Sequence, residues 1–255
     1  KLDVFAQFFH LFIVSVESKN FDEIKRIPID ILAGKNFVVT VSEGDVDYFC
    51  EFREREKGEM SIGELDTESF LATLLDLHIV TYFRALEDVE KRVDEMDDRI
   101  LQKNLDTEEF VSEMVKLRQS VTNLRRWFVP HRDVFYALSR PDFQQIAQSD
   151  SADSFRQLSE HFEHAFDAIE ASRQTVISLF DLYSTKSAQI TNDLVQRLTF
   201  ITLIVGFLGV VAGIFGMNFE TDEVFKLENG FWLSLGGMLL LAIGLTIVAK
   251  FKKWI

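Results

Sequence analysis

Two uncharged apolar runs close to the C-terminus constrain this chain more than any other feature. They are Leu198–Phe215 and Phe231–Ala249, of 18 and 19 residues. An α-helix needs about 20 apolar residues to cross the ~30 Å hydrocarbon core of a bilayer, so both runs are of spanning length. The segment between them, 216–230, opens with Gly216-Met217-Asn218 and carries the acids Glu220, Asp222 and Glu223. It holds one lysine, whereas Arg197 precedes the first run and Lys250, Lys252 and Lys253 follow the second. Basic residues collect on the cytoplasmic side. The expectation is therefore a multi-pass protein of the cell's inner (plasma) membrane with both termini cytoplasmic. Its parts are a first span at 198–215, an external loop at 216–230, a second span at 231–249 and a basic cytoplasmic tail at 250–255. Trp232 and Trp254 fall at the two interfaces, where indoles prefer to lie.

The formal net charge is −14, and acids and bases balance from residue 198 onward, so the whole surplus lies on residues 1–197. Such a surface excludes nucleic acid as a partner, because phosphate binding needs clustered positive charge. It suits the attraction of cations. Cys50 is the sole cysteine, which precludes an intrachain disulfide and fits a reducing compartment. The first residues, Lys1-Leu2-Asp3-Val4-Phe5, read as the interior of a fold, so an N-terminal portion is expected to be missing; they carry no signal-peptide pattern. There is no phosphate-binding loop, no Ser-His-Asp spacing and no Glu-x-x-His pair, so no enzyme is expected.

Residues 1–63 read as a partial cytoplasmic α/β domain with an antiparallel or mixed sheet. Residues 4–16 form one apolar, β-prone run, too short to span a bilayer. Further strands are expected at 27–32 and 37–41, the latter after the turn signal Gly34-Lys35-Asn36. Residues 64–150 read as a cytoplasmic helical hairpin. Apolar positions from Phe70 to Ile100 recur in steps of three and four, Asn104 marks a stop, and a second helix runs from Thr107 to Trp127. Pro130 should interrupt it, because proline has no amide donor and clashes with the preceding turn. Helix resumes through Val134, Phe135 and Leu138.

The third helix starts near Ser151 or Asp153 and has no proline up to residue 215. Phe155, Leu158, Phe162, Ala165, Ile169, Ser172, Val176, Leu179, Tyr183, Lys186 and Ile190 form a heptad-like packing seam. An unbroken helix of this length is ~98 Å long, of which only ~30 Å fits a hydrocarbon core. Residues 151–197 would then project as a cytoplasmic stalk. The alternative is two helices broken near Ser184–Ser187.

Phe215-Gly-Met-Asn-Phe-Glu220 between two C-terminal spans, the Lys-Lys-Trp-Ile ending, and Thr191-Asn192 ahead of Leu198-Thr199 together resemble the CorA family of divalent-cation transporters. Weaker echoes occur at Lys35–Thr40, Leu75–Phe83 and Leu124–Pro130. The resemblance implies an α+β cytoplasmic domain, a long stalk helix and two C-terminal transmembrane helices, assembled as a homopentamer with the first span of each subunit lining a pore. It also implies transport of Mg²⁺ in most members, Co²⁺ or Ni²⁺ in some, and Zn²⁺ in the ZntB branch. Three positions depart from the family pattern. A Met-Pro pair usual in the pore helix is Gly206-Phe207, a pore threonine is Gly209, and an acidic stalk position tied to metal sensing between subunits is Gln157.

Mg²⁺ is a hard ion that sheds water slowly, so neutral oxygens can hold it through its water shell. A ring of Asn218 side chains would present carbonyls at the outer mouth, with Gly216 ending the helix in a left-handed cap and Met217 between them. Asn192 lies 26 residues earlier, ~39 Å along one helix, and is assigned to the inner mouth. Val195 and Leu198 would form a constriction that closes by dewetting; interhelical packing accounts for them equally. Glu220, Asp222 and Glu223 would concentrate cations. Gly206, Gly209 and Gly213 favour close helix packing, or a wider pore. Asp22, Glu160, Glu163, His161 and His164 are candidate regulatory metal ligands, the histidines for Zn²⁺ or a similar ion. No resident cofactor is expected: Mg²⁺, or Zn²⁺ or Co²⁺ in its place, is both the transported and the regulatory ion. The leading expectation is a Mg²⁺ channel whose cytoplasmic acids close it when internal Mg²⁺ bridges them. The alternatives are a transporter of Zn²⁺, Co²⁺ or Ni²⁺, and a non-conducting membrane scaffold.

Overall fold

The structure is a computed structural model and describes residues 1–44, 46–58, 66–100, 107–143, 152–216 and 230–251. The chain divides into two units, Lys1–Leu182 and Tyr183–Ile255.

The first unit opens with an antiparallel meander of β1 (Leu2–Val4), β2 (Phe8–Ser18), β3 (Ile24–Gly34) and β4 (Phe37–Ser42), in sequential order. Connections this short cannot make the crossover that a parallel neighbour requires, which resolves the mixed-sheet alternative in favour of the antiparallel one. Pairs such as Leu11↔Ile31 and Ile13↔Ile29 set the β2–β3 register. Alternation with period two sends Phe9, Leu11, Ile13, Ile27, Ile29, Ile31 and Ala33 inward, where all are buried. The opposite face leaves Phe12, Val39 and Val41 exposed. The apolar run at 4–16 is not one strand. The chain turns at Phe5–Gln7, where the Phe5 amide donates to the Phe8 carbonyl (2.9 Å) and the Phe5 and Phe8 rings stack at 4.7 Å. Apolar residues lie on both sides of this turn, so hydropathy alone conceals it. At the next hairpin, Gly34 pairs with Phe37, and a Cβ at residue 34 would run into the Phe37 ring.

After α1 (Asp47–Gly58), α2 (Thr67–Ile100) covers the inner sheet face. It is long and apolar enough to cross a membrane, but 61% of its most apolar stretch is buried inside the chain, which makes it the core helix of this unit. Leu71, Leu75, Ile79, Tyr82, Leu86, Val89, Val93 and Met96 are all buried. Helix α3 (Thr107–Phe128) follows, and Pro130 converts its end into a 3₁₀ turn (Val129–His131) before α4 (Arg132–Leu138).

Helix α5 runs from Ala152 to Gly216 without a break, so the alternative of two helices parting near Ser184–Ser187 is not what forms. Its seam is buried in the first unit at Phe155, Leu158, Phe162, Ala165, Ile169, Ser172, Val176 and Leu179. Phe162 stacks on Phe128 at 4.3 Å and on Phe135 at 4.7 Å. Each fully buried aromatic of this kind contributes about 1.5–3 kcal/mol by transfer from water. The seam does not continue as a buried stripe: Tyr183 and Lys186 are half-buried and Ile190 is exposed. In the second unit the apolar residues of α5 lie exposed around the helix, including Leu194, Leu198, Val205 and Val210. Helix α6 (Gly230–Phe251) is likewise apolar, with Leu239, Leu240 and Ile247 exposed. An apolar helix left unburied by its own chain needs apolar surroundings, in a membrane or against another subunit.

Candidate functional site

One helix carries most of the expected ion path. Asn192, Val195 and Leu198 lie on α5 and all are exposed, and Gly216 is its last residue. The 24 residues from Asn192 to Gly216 span ~36 Å of helix, close to the hydrocarbon thickness. The hydroxyl of Thr202 donates to the Leu198 carbonyl one turn back (2.9 Å), and that of Thr246 on α6 donates to Ala242 (2.8 Å). Both polar groups are thus satisfied within their own helix, as an apolar solvent requires. Gly216 does not adopt the left-handed cap expected for it, since Gly44 is the only glycine at positive φ among the described residues. Met217, Asn218, Glu220, Asp222 and Glu223 lie outside the described residues. A Cβ on Gly206, Gly209 or Gly213 would meet no atom of the described chain within 4 Å.

The candidate regulatory ligands separate into two kinds. Asp22 pairs with Lys116 at 3.1 Å, and Glu163 accepts from Nε and Nη2 of Arg132, each at 2.9 Å. These carboxylates already have cationic partners. Glu160 and His164 are exposed on α5. His161 is half-buried, with its Nδ1 2.6 Å from the Asp76 carboxylate of α2 and its ring stacked on Phe83 at 5.4 Å. The His164 ring also lies against Phe83, at 5.8 Å. No group of three His, Cys, Asp or Glu side chains is poised around a metal position among the described residues.

Two further histidines are buried, and periodicity marks their positions only as core. His78 of α2 and His131 of the 3₁₀ turn meet edge to face at 5.1 Å, within van der Waals reach of Tyr82, Phe128 and Phe135. The Val14 amide donates to His131 Nε2 at 2.9 Å, so that ring is neutral and carries its proton on Nδ1. Neither His131 Nδ1 nor either nitrogen of His78 has a hydrogen-bond partner among the described residues. Burial holds His78 well below the usual imidazole range and takes His131 down to about 3, each by desolvation first. Tyr82 closes the cluster by donating its hydroxyl to the Val14 carbonyl at 2.6 Å.

An α+β unit whose last helix continues unbroken into an unburied apolar segment, followed by a second apolar helix, is an arrangement suited to a membrane protein with a soluble domain. The family model described as "CorA-like Mg2+ transporter protein" matches residues 1–253, and the chain belongs to that family. It is 28% identical over 238 residues to the cobalt/magnesium transport protein CorA of Thermotoga maritima, which covers 93% of this chain and 67% of that one. The fold is that of the complete CorA magnesium transporter from Methanocaldococcus jannaschii, with a TM-score of 0.81 at 19% identity, covering all of this chain and 80% of the other. It also matches the full-length CmaX protein, with a TM-score of 0.71 at 17% identity and coverage of 100% and 76%.

Proposed function

We propose that this chain is the protomer of a homopentameric channel that passes divalent cations, Mg²⁺ foremost, across the cell's inner membrane. The observation that carries the reading is α5 itself, a continuous helix buried along one seam up to Leu179 and unburied through an uncharged segment that ends at Gly216. Five such helices around an axis would line a pore ~36 Å long with Asn192 at the cytoplasmic end. Asn218, two residues beyond the helix, would hold a hydrated ion through its amide oxygen at the outer mouth. Helix carbonyls at the C-terminal end of α5 carry partial negative charge toward that mouth and favour a cation there. Helix α6 would form the outer ring against lipid, with both termini cytoplasmic.

Val195 and Leu198 are exposed apolar residues on α5 just before and at the start of the membrane segment, where a ring of them would exclude water when the helices close. Glu220, Asp222 and Glu223 would raise the local cation concentration at the outer mouth. The decisive experiment is Mg²⁺ entry into proteoliposomes carrying the full chain or its Asn218→Ala variant. Entry should fall at least tenfold in the variant; unchanged entry overturns the filter assignment, and absence of flux from the well-folded unsubstituted pentamer overturns the channel.

A further inference from the structure

We propose that a cavity between β2, the start of α1 and α2 binds a small organic cation, the ammonium end of an alkyl primary amine. The cavity has a volume of about 80 Å³ and lies wholly within the first unit. No residue assigned to the ion path or to metal binding borders it. Its inner wall is polar and buried: Ser15, Thr81 and Tyr48 are only 1%, 9% and 2% exposed. The Tyr48 hydroxyl has no hydrogen-bond partner among the described residues. The Ser15 hydroxyl is near enough to favour its ionised form but does not bond to it. A buried hydroxyl left unpaired is costly, so folded chains pair such groups with protein, water or a ligand.

The order of the hydrogens shows what this wall offers. Thr81 donates its only hydroxyl hydrogen to the His78 carbonyl at 2.8 Å. In the 3.1 Å contact between Ser15 and Thr81 it is therefore Ser15 that donates. The Ser15 oxygen is left as an acceptor, beside the unpaired oxygen of Tyr48. Charge at the rim has one sign in excess. Arg84 gives two N–H groups to the two carboxylate oxygens of Glu51, at 2.7 and 2.9 Å, so its charge is already answered. Glu17 and Asp47 also line the cavity and form no ion pair among the described residues. The remaining walls are the apolar Val16, Ile27 and Val46.

An alkylammonium matches each of these features. It has three N–H donors and no acceptor, which suits the Ser15 and Tyr48 oxygens and a rim carboxylate. Its charge answers Glu17 and Asp47, and its methylenes fit the apolar walls. The volume holds roughly five to eight groups the size of a water molecule, which admits a short alkyl chain. An anion would meet two uncompensated carboxylates. Mg²⁺ keeps its water shell and gains little from neutral hydroxyls. Binding here would tie α1 to α2 and β2, and the site stands whether or not the chain conducts ions.

The test titrates 1,4-diaminobutane into the full chain in detergent by calorimetry. Salt at about 0.15 M and saturating Mg²⁺ suppress diffuse attraction to the acidic surface. One diamine per chain is expected, and 1,4-butanediol, of the same length but uncharged, should not displace it. Tyr48→Phe removes only an oxygen that has no partner in the fold, so the chain should stay folded by circular dichroism while affinity falls about tenfold. Glu17→Gln, at the rim, should weaken binding at least tenfold and gives a second reading independent of the core. Absence of saturable binding, or binding unchanged in both variants, overturns the site. Displacement by the diol overturns the choice of an ammonium ligand. Mg²⁺ flux is not a readout here, so failure of this site leaves the transport reading untouched.

Discussion

Mild acid should loosen the first unit, and the buried histidine pair sets how much. Both rings are neutral in the fold because desolvation disfavours their charged forms. In the unfolded chain each titrates near 6.5. A base with a depressed folded pKa costs nothing above its unfolded pKa; its cost grows as pH falls below about 6.5, by about 1.4 kcal/mol per pH unit, and levels off only at the folded pKa. For His131, whose pKa is taken down to about 3, that window runs from 6.5 to 3. At pH 5 the loss is about 2 kcal/mol for His131, and His78, depressed by burial in the same direction, adds to it. Domains of this kind are held by only about 5–15 kcal/mol, so the effect is large. Urea unfolding of the full chain in detergent, followed by near-ultraviolet circular dichroism, should move its midpoint down by about 1 M or more between neutral pH and pH 5. His78→Leu removes one titrating ring and two unsatisfied nitrogens at little change in volume. It should leave stability at neutral pH equal or higher and reduce the acid sensitivity. His131→Leu should instead cost about 1–3 kcal/mol at neutral pH, because it strands the Val14 amide. An acid shift of the same size in His78→Leu as in the unsubstituted chain would refute the assignment. The carboxylates whose pKa is lowered by arginine partners, such as Glu170 beside Arg173 and Arg125, lose their contribution only below their own unfolded range, in a more acid window.

Other outcomes follow from the packing. Phe162→Ala removes a fully buried ring stacked between Phe128 and Phe135 and should cost about 3–5 kcal/mol in the same urea assay. Arg132→Ala breaks a double-bonded but largely exposed pair with Glu163, so its effect should stay within about 1 kcal/mol and vanish at high salt. Gly34→Ala pushes a methyl group against the Phe37 ring, and because that ring is half-exposed it can swing aside; a destabilisation of about 1 kcal/mol is expected, relieved in Gly34→Ala/Phe37→Ala.

The elements that were legible in the chain are those whose signal is local. Period-two alternation in β2 and β3, three-four spacing in α2 and α5, and the proline at 130 each leave a mark within a few residues. The turn at Phe5–Gln7 left none, since phenylalanine fills both strand and turn there. The burial limit of the α5 seam was also invisible: Leu179 and Ile190 are equally apolar, and only the extent of the partner helices decides which is covered. Among the site residues, the positions of Asn192, Val195 and Leu198 on α5 follow from sequence periodicity alone. What Asp22 and Glu163 are bonded to does not, because Lys116 and Arg132 stand 94 and 31 residues away.

The sequence by itself determined a chain with two spanning-length apolar segments, an acidic region ahead of them and a Gly-Met-Asn motif between them. Composition and spacing are enough for that, because a bilayer selects on length and charge. It also carried the resemblance that the family match bears out. Tertiary structure alone decided that α2, apolar enough to span a membrane, is instead a buried core helix, since burial depends on what the rest of the chain packs against it. It alone sorted the candidate metal ligands, spending Glu163 on Arg132 and setting Asp76 behind His161. Charge pairing and ligand orientation are properties of surfaces brought together from distant stretches, and no local pattern encodes them.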